Sequence, residues 1–260
     1  MNLDLKDKRV LVTGGNSGLG AAIVKAFAAE GARVAINYVA NPAQTEALKA
    51  QITSDSNAAL GLEADISDAQ AVGRMFDAVD DAWGGIDILV NNAGIDGRRA
   101  LGWEADPDAW GRVIDINLKG AFLCSREALK RMTVQRSGVV LNITSVHEVI
   151  AWSGYSAYTA SKAGSSMMSK SLAQEAAPHG VRVLCIAPGA IRTPINRQVW
   201  DDPEGYADLL KKIPLGRIGD AQDIAKMAVF LASDAASYVT ATTVFVDGGM
   251  TDYPSFAHGG

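Results

Sequence analysis

Short apolar segments rich in valine and isoleucine alternate with longer helical patterns along almost the whole chain. We predict seven strands, at residues 9–13, 32–38, 58–63, 86–91, 138–144, 181–187 and 242–246. We predict helices near residues 18–30, 42–53, 68–83, 107–132, 157–176 and 221–233. This alternation is typical of a parallel, doubly wound α/β sheet with helices on both faces. Such sheets bind ligands beyond the carboxyl ends of their strands, so the residues after each strand are the first candidates for a site.

The length and composition fit a single domain over residues 1–260. The chain has 260 residues, and 48% of them are hydrophobic, which is enough for a large core. Its formal charge is −5 without a run of like charges, which argues against nucleic acid and anionic membranes as partners. No segment reaches the ~18 apolar residues of a membrane span, and the start carries no apolar targeting segment. We therefore expect a cytoplasmic protein.

The two cysteines, Cys124 and Cys185, lie far apart in apolar stretches. This setting is typical of buried free thiols rather than of a redox pair or of metal ligands. We expect no metal site.

Residues 193–219 form one long stretch that looks irregular and is rich in proline and glycine. Long loops in compact domains are usually functional, so we predict a substrate-binding loop or lid here. Beyond the last strand, residues 250–260 form a C-terminal tail that contains Tyr253 and Phe256. A frayed terminus and a segment docked on a neighbouring subunit are the two alternatives for this tail.

A glycine-rich loop, Thr13-Gly-Gly-Asn-Ser-Gly-Leu-Gly20, follows the first strand. Glycine lets the backbone approach a pyrophosphate, and the helix that starts near Gly18 points its free N–H groups at the phosphates. The spacing is G-x-x-x-G-x-G, which differs from the general dinucleotide fingerprint, and alone it is equally well explained as an ordinary turn. The residues expected to bind a cofactor here are Gly14, Asn16, Ser17, Gly18, Leu19 and Gly20.

The ends of the next three strands carry further candidates for the same ligand. Small residues after the fourth strand form a floor on which a ribose could lie. Asp65, after the third strand, could accept a hydrogen bond from an adenine amino group; a solvated turn residue is the alternative. The candidates at these strand ends are Asn37, Tyr38, Asp65, Ile66, Asn91, Ala93 and Gly94.

Tyr158 and Lys162 lie four residues apart in a helical pattern, and therefore on one helix face. There an ammonium can hold a phenol near ionisation, which a hydride-transfer site needs in order to move the alcohol proton. Alone, this pair also occurs on ordinary amphipathic helices. This pair occurs together with the glycine loop, and Asn117 and Ser145 lie between the two motifs. Chance is a poor explanation for the whole combination.

On these residues the chain resembles the classical short-chain dehydrogenase/reductases, over residues 6–249. The resemblance implies a single Rossmann-type domain. The segments 145–148, 188–195 and 247–256 are similar, more narrowly, to the bacterial glucose 1-dehydrogenases.

The resemblance implies roles for the site residues. Tyr158 would be the general acid/base, and the ammonium of Lys162 together with the positive nicotinamide of the oxidised complex would lower its pKa from ~10. Lys162 would also bind the nicotinamide ribose. Ser145 would orient the carbonyl or alcohol oxygen, and Asn117 would support a water chain from Lys162 to solvent. The residues implied to meet the nicotinamide carboxamide region are Pro188, Gly189, Ile191 and Thr193.

The end of the second strand departs from the pattern of NAD-specific enzymes, which carry an acid there to bind the ribose 2′-OH. Here residues 36–41 include no acid, arginine or lysine. Repulsion of a 2′-phosphate is absent, but so is a strong partner for it. We predict use of both NAD and NADP, leaning to NADP.

A histidine beside Ser145 invites a hydrolase interpretation, but no G-x-S-x-G elbow is present. The candidates for substrate contact are instead Asp96, His147, Trp152 and Ile195, with Trp200 as a further pocket candidate. A structural role in the core or at an interface is the alternative for these residues.

We predict an NAD(P)-dependent oxidoreductase that acts on a secondary alcohol or lactol, with an aldose such as glucose as the favoured substrate. A reductase of ketones or 3-oxoacyl groups is one alternative, and a non-catalytic cofactor-sensing protein is another. The resemblance also implies a homotetramer.

Overall fold

The computed structural model describes residues 3–53, 59–193 and 202–252. Its strands are β1 (Arg9–Val12), β2 (Arg33–Tyr38), β3 (Ala59–Glu63), β4 (Ile88–Asn91), β5 (Gly138–Ile143), β6 (Val181–Pro188), β7 (Ile191–Arg192), β8 (Gly219–Asp220) and β9 (Thr243–Val246). Seven of these pair in parallel in the order β3-β2-β1-β4-β5-β6-β9. The predicted seven-stranded parallel sheet is confirmed, with every strand end within two residues of its predicted place.

Helices cover both faces of this sheet, as predicted. In the described ranges they are α1 (Gly18–Ala29), α2 (Pro42–Ile52), α3 (Ala69–Trp83), α4 (Pro107–Ile114), α5 (Ala121–Gln135), α6 (Ser156–Ala176), α7 (Pro203–Lys211) and α8 (Ala221–Ala232). Successive strand residues face opposite layers: Val10 and Val12 pack with α1 and α8, whereas Leu11 packs with α3 and α5. The strands are apolar throughout because both faces are buried.

The strand order reverses at β1, which pairs with β2 on one side and with β4 on the other. The chain runs outwards to β3, returns to β4 and continues to β9 in the opposite direction. This reversal opens a crevice at the carboxyl ends of β1 and β4, where doubly wound sheets bind their ligands.

The helix predicted over residues 107–132 is interrupted. α4 ends at Ile114, a π-helical segment spans Asp115–Gly120, and α5 follows. A π-helical turn within an α-helix is energetically unusual and is often found at functional sites.

The stretch 193–219 is more regular than predicted. It contains α7, where the Asp202 carboxylate caps the first turn by accepting from the N–H groups of Glu204 and Gly205. At its end β8 pairs with β7 in a small second sheet. The prediction of an irregular loop is therefore wrong here, because the prolines and glycines that suggested it flank or start the helix. Ile195 and Trp200, and the tail residues 253–260, lie outside the described ranges.

No helix of the described ranges has both the length and the apolar character needed to cross a membrane. Both cysteines are buried free thiols, as predicted. Burial raises the pKa of the Cys185 thiol to about 11.

Candidate active site

The glycine-rich loop after β1 has the conformation expected of a phosphate cradle. Gly14 and Gly18 adopt positive φ angles of 57° and 50°, which residues other than glycine rarely adopt. A Cβ on Gly20 would overlap the carbonyl of Gly14, whereas the space around Gly18 is open. The Ser17 side chain makes no capping hydrogen bond to α1, so the first N–H groups of this helix face the cleft.

A second loop, after β4, locks the cradle in place. The Asn92 side chain donates to the carbonyls of Thr13 and Gly14, at 3.0 and 3.1 Å. The Thr13 hydroxyl in turn accepts from the backbone N–H groups of Asn92 and Ala93. Asn91, which we predicted as a cofactor residue, is buried beneath this floor, where its amide donates to Asn142 and to Ser125.

At the end of β2 the two predicted residues differ in their surroundings. Asn37 is buried, and its side chain accepts from the N–H of Gly14 and donates to the carbonyls of Leu62 and Ala64. It therefore braces the cradle. Tyr38 lies at the rim beside Val39, whose side chain is 64% exposed although it is apolar.

At the end of β3, Asp65 takes part in a hydrogen-bonded ring with Ser67 and Arg112. Arg112 donates to the Asp65 carboxylate and to the Ser67 hydroxyl, at 2.8 and 2.7 Å. The Arg112 hydrogen bond lowers the pKa of Asp65 to about 2, so this carboxyl is ionised at neutral pH. Arg112 lines the same cleft from α4.

The catalytic candidates meet where β5 ends and α6 begins. The Lys162 ammonium is buried and donates to the carbonyl of Ile143 at 2.9 Å, and it lies 5.5 Å from the centre of the Tyr158 ring. Tyr158 is hydrogen-bonded to Ser145. The Ser145 hydroxyl also accepts from the N–H of His147 and so caps the 3₁₀ turn that follows.

Burial dominates the proton equilibria of this pair. It raises the pKa of Tyr158 to about 12, and the hydrogen bond from Ser145 offsets only part of this shift. It lowers the pKa of Lys162 to about 8. In the protein without its cofactor, burial thus raises the Tyr158 pKa. The lowering expected in the complex with the oxidised nicotinamide stays a prediction.

Asn117 lies in the π-helical segment, which turns its side chain towards the loop after β4. The amide oxygen accepts from the N–H of Ile95 at 2.8 Å, and the amide nitrogen donates to the carbonyl of Ile95 and to the Ser161 hydroxyl. These bonds tie the loop to α6 one turn from Tyr158. The water chain expected at Asn117 stays a prediction.

These elements enclose a cleft of about 520 Å³ that contains most of the predicted residues. The predicted residues that line it are Gly14, Asn16, Ser17, Gly18, Leu19, Gly20, Asn37, Tyr38, Asp65, Ile66, Ala93, Gly94, Asp96, Ser145, Tyr158, Lys162, Pro188, Gly189, Ile191 and Thr193. The lining residues that sequence reasoning missed are Val39, Ala40, Asn41, Ala64, Asn92, Ile95, Arg112, Ile116, Ile143 and Thr144. Most of these adjoin a predicted residue along the chain, and that adjacency was a usable signal. Arg112 had none, since it comes from a helical stretch with no predicted residue beside it.

An aromatic stack stands beside the catalytic tyrosine. The rings of His147 and Trp152 lie 4.5 Å apart and nearly parallel, and Tyr155 stacks on the other face of Trp152 at 4.0 Å. Both His147 and Trp152 meet Tyr158 edge to face, at 6.2 and 5.9 Å. Tyr155 was not among the residues predicted for the site. The His147 ring hydrogen-bonds the carbonyl of Ile150 instead of serving Ser145 as a base.

Asp96 lies at the junction of the cleft with a second chamber of about 360 Å³. Burial raises the pKa of this carboxyl, and the positive charges of Lys162 and His147 oppose the shift. The second chamber continues between α4 and the turn at Gly154.

Comparisons with known proteins show the family to which the chain belongs. A family model described as enoyl-(acyl carrier protein) reductase matches residues 14–251. The chain is 45% identical to 3beta-hydroxysteroid dehydrogenase 1 of Eggerthella lenta, over 98% of each chain. It is 39% identical to glucose 1-dehydrogenase 2 of Bacillus subtilis, over 98% of this chain and 99% of the relative.

Among solved structures, levodione reductase superposes with a TM-score of 0.90 at 37% identity, covering 95% of this chain and 99% of the other. A match over nearly the full length at this identity shows common descent. The chain therefore belongs to the classical short-chain dehydrogenase/reductases and is an oxidoreductase that acts on CH–OH groups.

Proposed function

We propose that this protein transfers hydride between NAD or NADP and a secondary alcohol, lactol or ketone, with an aldose such as glucose as the favoured substrate. One observation carries the proposal: Ser145, Tyr158 and Lys162 meet in the same cleft as the glycine cradle. Proton transfer and dinucleotide binding are thus within reach of one substrate.

The cleft suits a dinucleotide. The open space at Gly18 and the free N–H groups of α1 fit phosphates, and the small residues Ala93 and Gly94 leave room for a ribose. When bound, the nicotinamide supplies the site that accepts or donates hydride. The uncharged rim at Tyr38 and Val39 supports use of both NAD and NADP, leaning to NADP. No carboxylate there selects the ribose 2′-OH of NAD or repels the 2′-phosphate of NADP.

The side chains supply the proton chemistry. The Ser145 hydroxyl orients the substrate oxygen, and Tyr158 exchanges a proton with it. With its pKa raised to about 12, Tyr158 is protonated at neutral pH and is ready to act as an acid in reduction. In oxidation it must lose its proton, and the Lys162 ammonium stabilises the phenolate that forms.

The aromatic stack and Asp96 are the proposed substrate contacts. Trp152 is 37% exposed, and both Trp152 and His147 meet Tyr158 edge to face, so the edge of the stack offers apolar C–H surface to a substrate held at Tyr158, although neither residue lines the cleft itself. The Asp96 carboxylate is an acceptor for further hydroxyl groups. The relative named as a glucose 1-dehydrogenase supports an aldose.

A second candidate substrate is an extended cyclic alcohol or ketone, such as a hydroxysteroid. The chamber of about 360 Å³ beyond Asp96 favours it, because a sugar in the main cleft would leave this space unused. The relatives named as a 3beta-hydroxysteroid dehydrogenase and a levodione reductase support this alternative and the more general carbonyl reductase activity.

The test is a nicotinamide absorbance assay across aldoses, polyols, 3β-hydroxysteroids and cyclic ketones, with each cofactor. We expect oxidation of an aldose with both cofactors. Strong turnover of steroids or ketones without any aldose oxidation rejects the sugar assignment and leaves the reaction type intact. Dinucleotide binding without turnover of any substrate favours a cofactor-sensing protein.

We propose further that the protein is a cytoplasmic homotetramer. One interface would join the helices within residues 107–132 and 157–176, and the other the last strand and α8. Large exposed apolar side chains on the first of these surfaces support it, with Trp110, Phe122 and Met167 exposed by 39%, 41% and 62%. Light scattering on the purified protein measures the mass, and a monomer contradicts the proposal.

A further inference from the structure

Arg112 belongs to none of the sequence motifs, yet it forms part of the wall of the cofactor cleft. It reaches across from α4 to the turn after β3 and donates two hydrogen bonds, one to Asp65 and one to Ser67. Ser67 donates both its N–H and its hydroxyl to the other oxygen of the Asp65 carboxylate, at 2.9 and 2.7 Å. The carboxylate is thus held on both sides.

This arrangement contributes little to the stability of the fold. The side chains of Arg112 and Asp65 are 49% and 44% exposed, and exposed ion pairs stabilise proteins weakly. The consequence of the pair lies in the orientation and charge of the carboxylate. An ionised carboxylate only accepts hydrogen bonds, and it offers about four lone pairs. The hydrogen bonds from Arg112 and Ser67 occupy some of these lone pairs on each oxygen, and the remaining lone pairs are left for a donor in the cleft.

We propose that Arg112 is a positioning residue that holds Asp65 to read the base of the dinucleotide, so that the protein favours a base with an exocyclic amino donor. This inference rests on the proposed use of a nicotinamide dinucleotide. Adenine presents a 6-amino group, which donates to a carboxylate. Hypoxanthine presents a carbonyl oxygen at the same position, and a fixed negative charge repels it.

The probes are NAD and nicotinamide hypoxanthine dinucleotide, and their dissociation constants are measured by titration calorimetry without substrate. We expect the wild-type protein to bind NAD at least about tenfold more tightly, the scale of one hydrogen bond to a charged group. Arg112→Ala should reduce this preference to less than about threefold, chiefly through weaker binding of NAD. Arg112→Lys keeps the charge but loses the two-donor fork, and should restore only part of the preference.

Arg33→Ala is the matched control. Arg33 forms a comparably exposed ion pair with Asp7, with side chains 40% and 53% exposed, at the opposite end of the sheet. It should leave the base preference unchanged. In an Asp65→Ala background, Arg112→Ala should have no further effect on the preference, because Arg112 acts through Asp65.

Three results overturn the inference. They are an unchanged preference in Arg112→Ala, an equal loss of affinity for both dinucleotides, and full restoration by Arg112→Lys, which points to simple charge attraction. Failure of the proposed use of a nicotinamide dinucleotide looks different, since the wild-type protein then binds neither dinucleotide.

Discussion

Tyr158 and Lys162 are both shifted by burial towards their uncharged forms, since a charged group loses hydration inside the protein. Most of the specific chemistry of the cleft depends on these two side chains. Their replacements therefore separate proton transfer from cofactor binding.

Tyr158→Phe should abolish turnover and leave cofactor affinity almost unchanged, because it removes only the group that exchanges the proton. The loss should exceed about 100-fold, the usual scale of general acid–base catalysis. Steady-state kinetics and a cofactor titration measure the two quantities. Activity within tenfold of the wild type would contradict the assignment.

Lys162→Met should impair both turnover and cofactor affinity, since we assign one ammonium to the phenol and to the nicotinamide ribose. The Lys162 ammonium lies 5.5 Å from the ring centre of Tyr158, close enough to stabilise a phenolate. Unchanged affinity for the cofactor in a calorimetric titration would exclude the ribose role.

The same variant makes a prediction about stability and pH. The pKa of Lys162 is lowered from 10.5 to about 8 by burial. Below about pH 8 both folded and unfolded states are protonated, and the folded state bears the full cost of the buried charge. This cost falls as the pH rises from about 8 to 10.5.

Lys162→Met should therefore stabilise the protein more at pH 7 than at pH 10, by a difference on the order of 2–3 kcal/mol. The lost hydrogen bond to Ile143 affects both pH values alike. Urea unfolding at the two pH values checks the prediction. An equal change in the free energy of unfolding at both pH values would show that burial does not destabilise the charged form of Lys162.

The turn between β1 and α1 depends on residues that lack side chains. Gly20→Ala should weaken cofactor binding by at least about tenfold, because the added Cβ overlaps the Gly14 carbonyl and forces the cradle apart. Gly73→Ala is the control, since Gly73 lies within α3 with open space around it. It should stabilise the protein by about 0.5–1 kcal/mol without affecting the cofactor. Equal cofactor affinity in the two variants would contradict the assignment of Gly20 to the phosphate cradle.

The end of β2 sets the expected choice of cofactor. Tyr38→Asp should shift preference towards NAD, because the carboxylate accepts from a ribose 2′-OH and repels a 2′-phosphate. Tyr38→Phe removes the hydroxyl without adding charge and should leave the preference near that of the wild type. An unchanged ratio of NADP to NAD efficiency in Tyr38→Asp would place the ribose elsewhere.

For the molecule as a whole, the proposed tetramer leaves a role for the tail, which lies outside the described residues. Its aromatic residues Tyr253 and Phe256 would anchor it on a neighbouring subunit near the substrate opening. Deleting residues 255–260 should then change substrate KM or kcat and lower oligomer stability while the fold persists. Light scattering, kinetics and melting curves test this, and three unaltered results would leave the tail as a frayed terminus.

The sequence by itself determined the elements and the residues that follow them. The apolar strands, the glycine cradle and the spacing of Tyr158 from Lys162 are local patterns, because they repeat with the period of a strand or helix or occupy one turn. The parallel seven-stranded sheet and the cleft at its carboxyl ends follow from those patterns and from the handedness of crossovers. The order of the strands came from the structure.

Only the tertiary structure decided how these residues act on one another. Arg112 and Asp65 are 47 positions apart along the chain, and Asn117 reaches a loop 22 positions away, so no local pattern connects them. The direction of the Tyr158 pKa shift likewise depends on how much water the folded chain excludes around the phenol. Hydration and long-range contacts exist only once the layers have packed, and that is why the charge states of the cleft could not be inferred from the order of its residues.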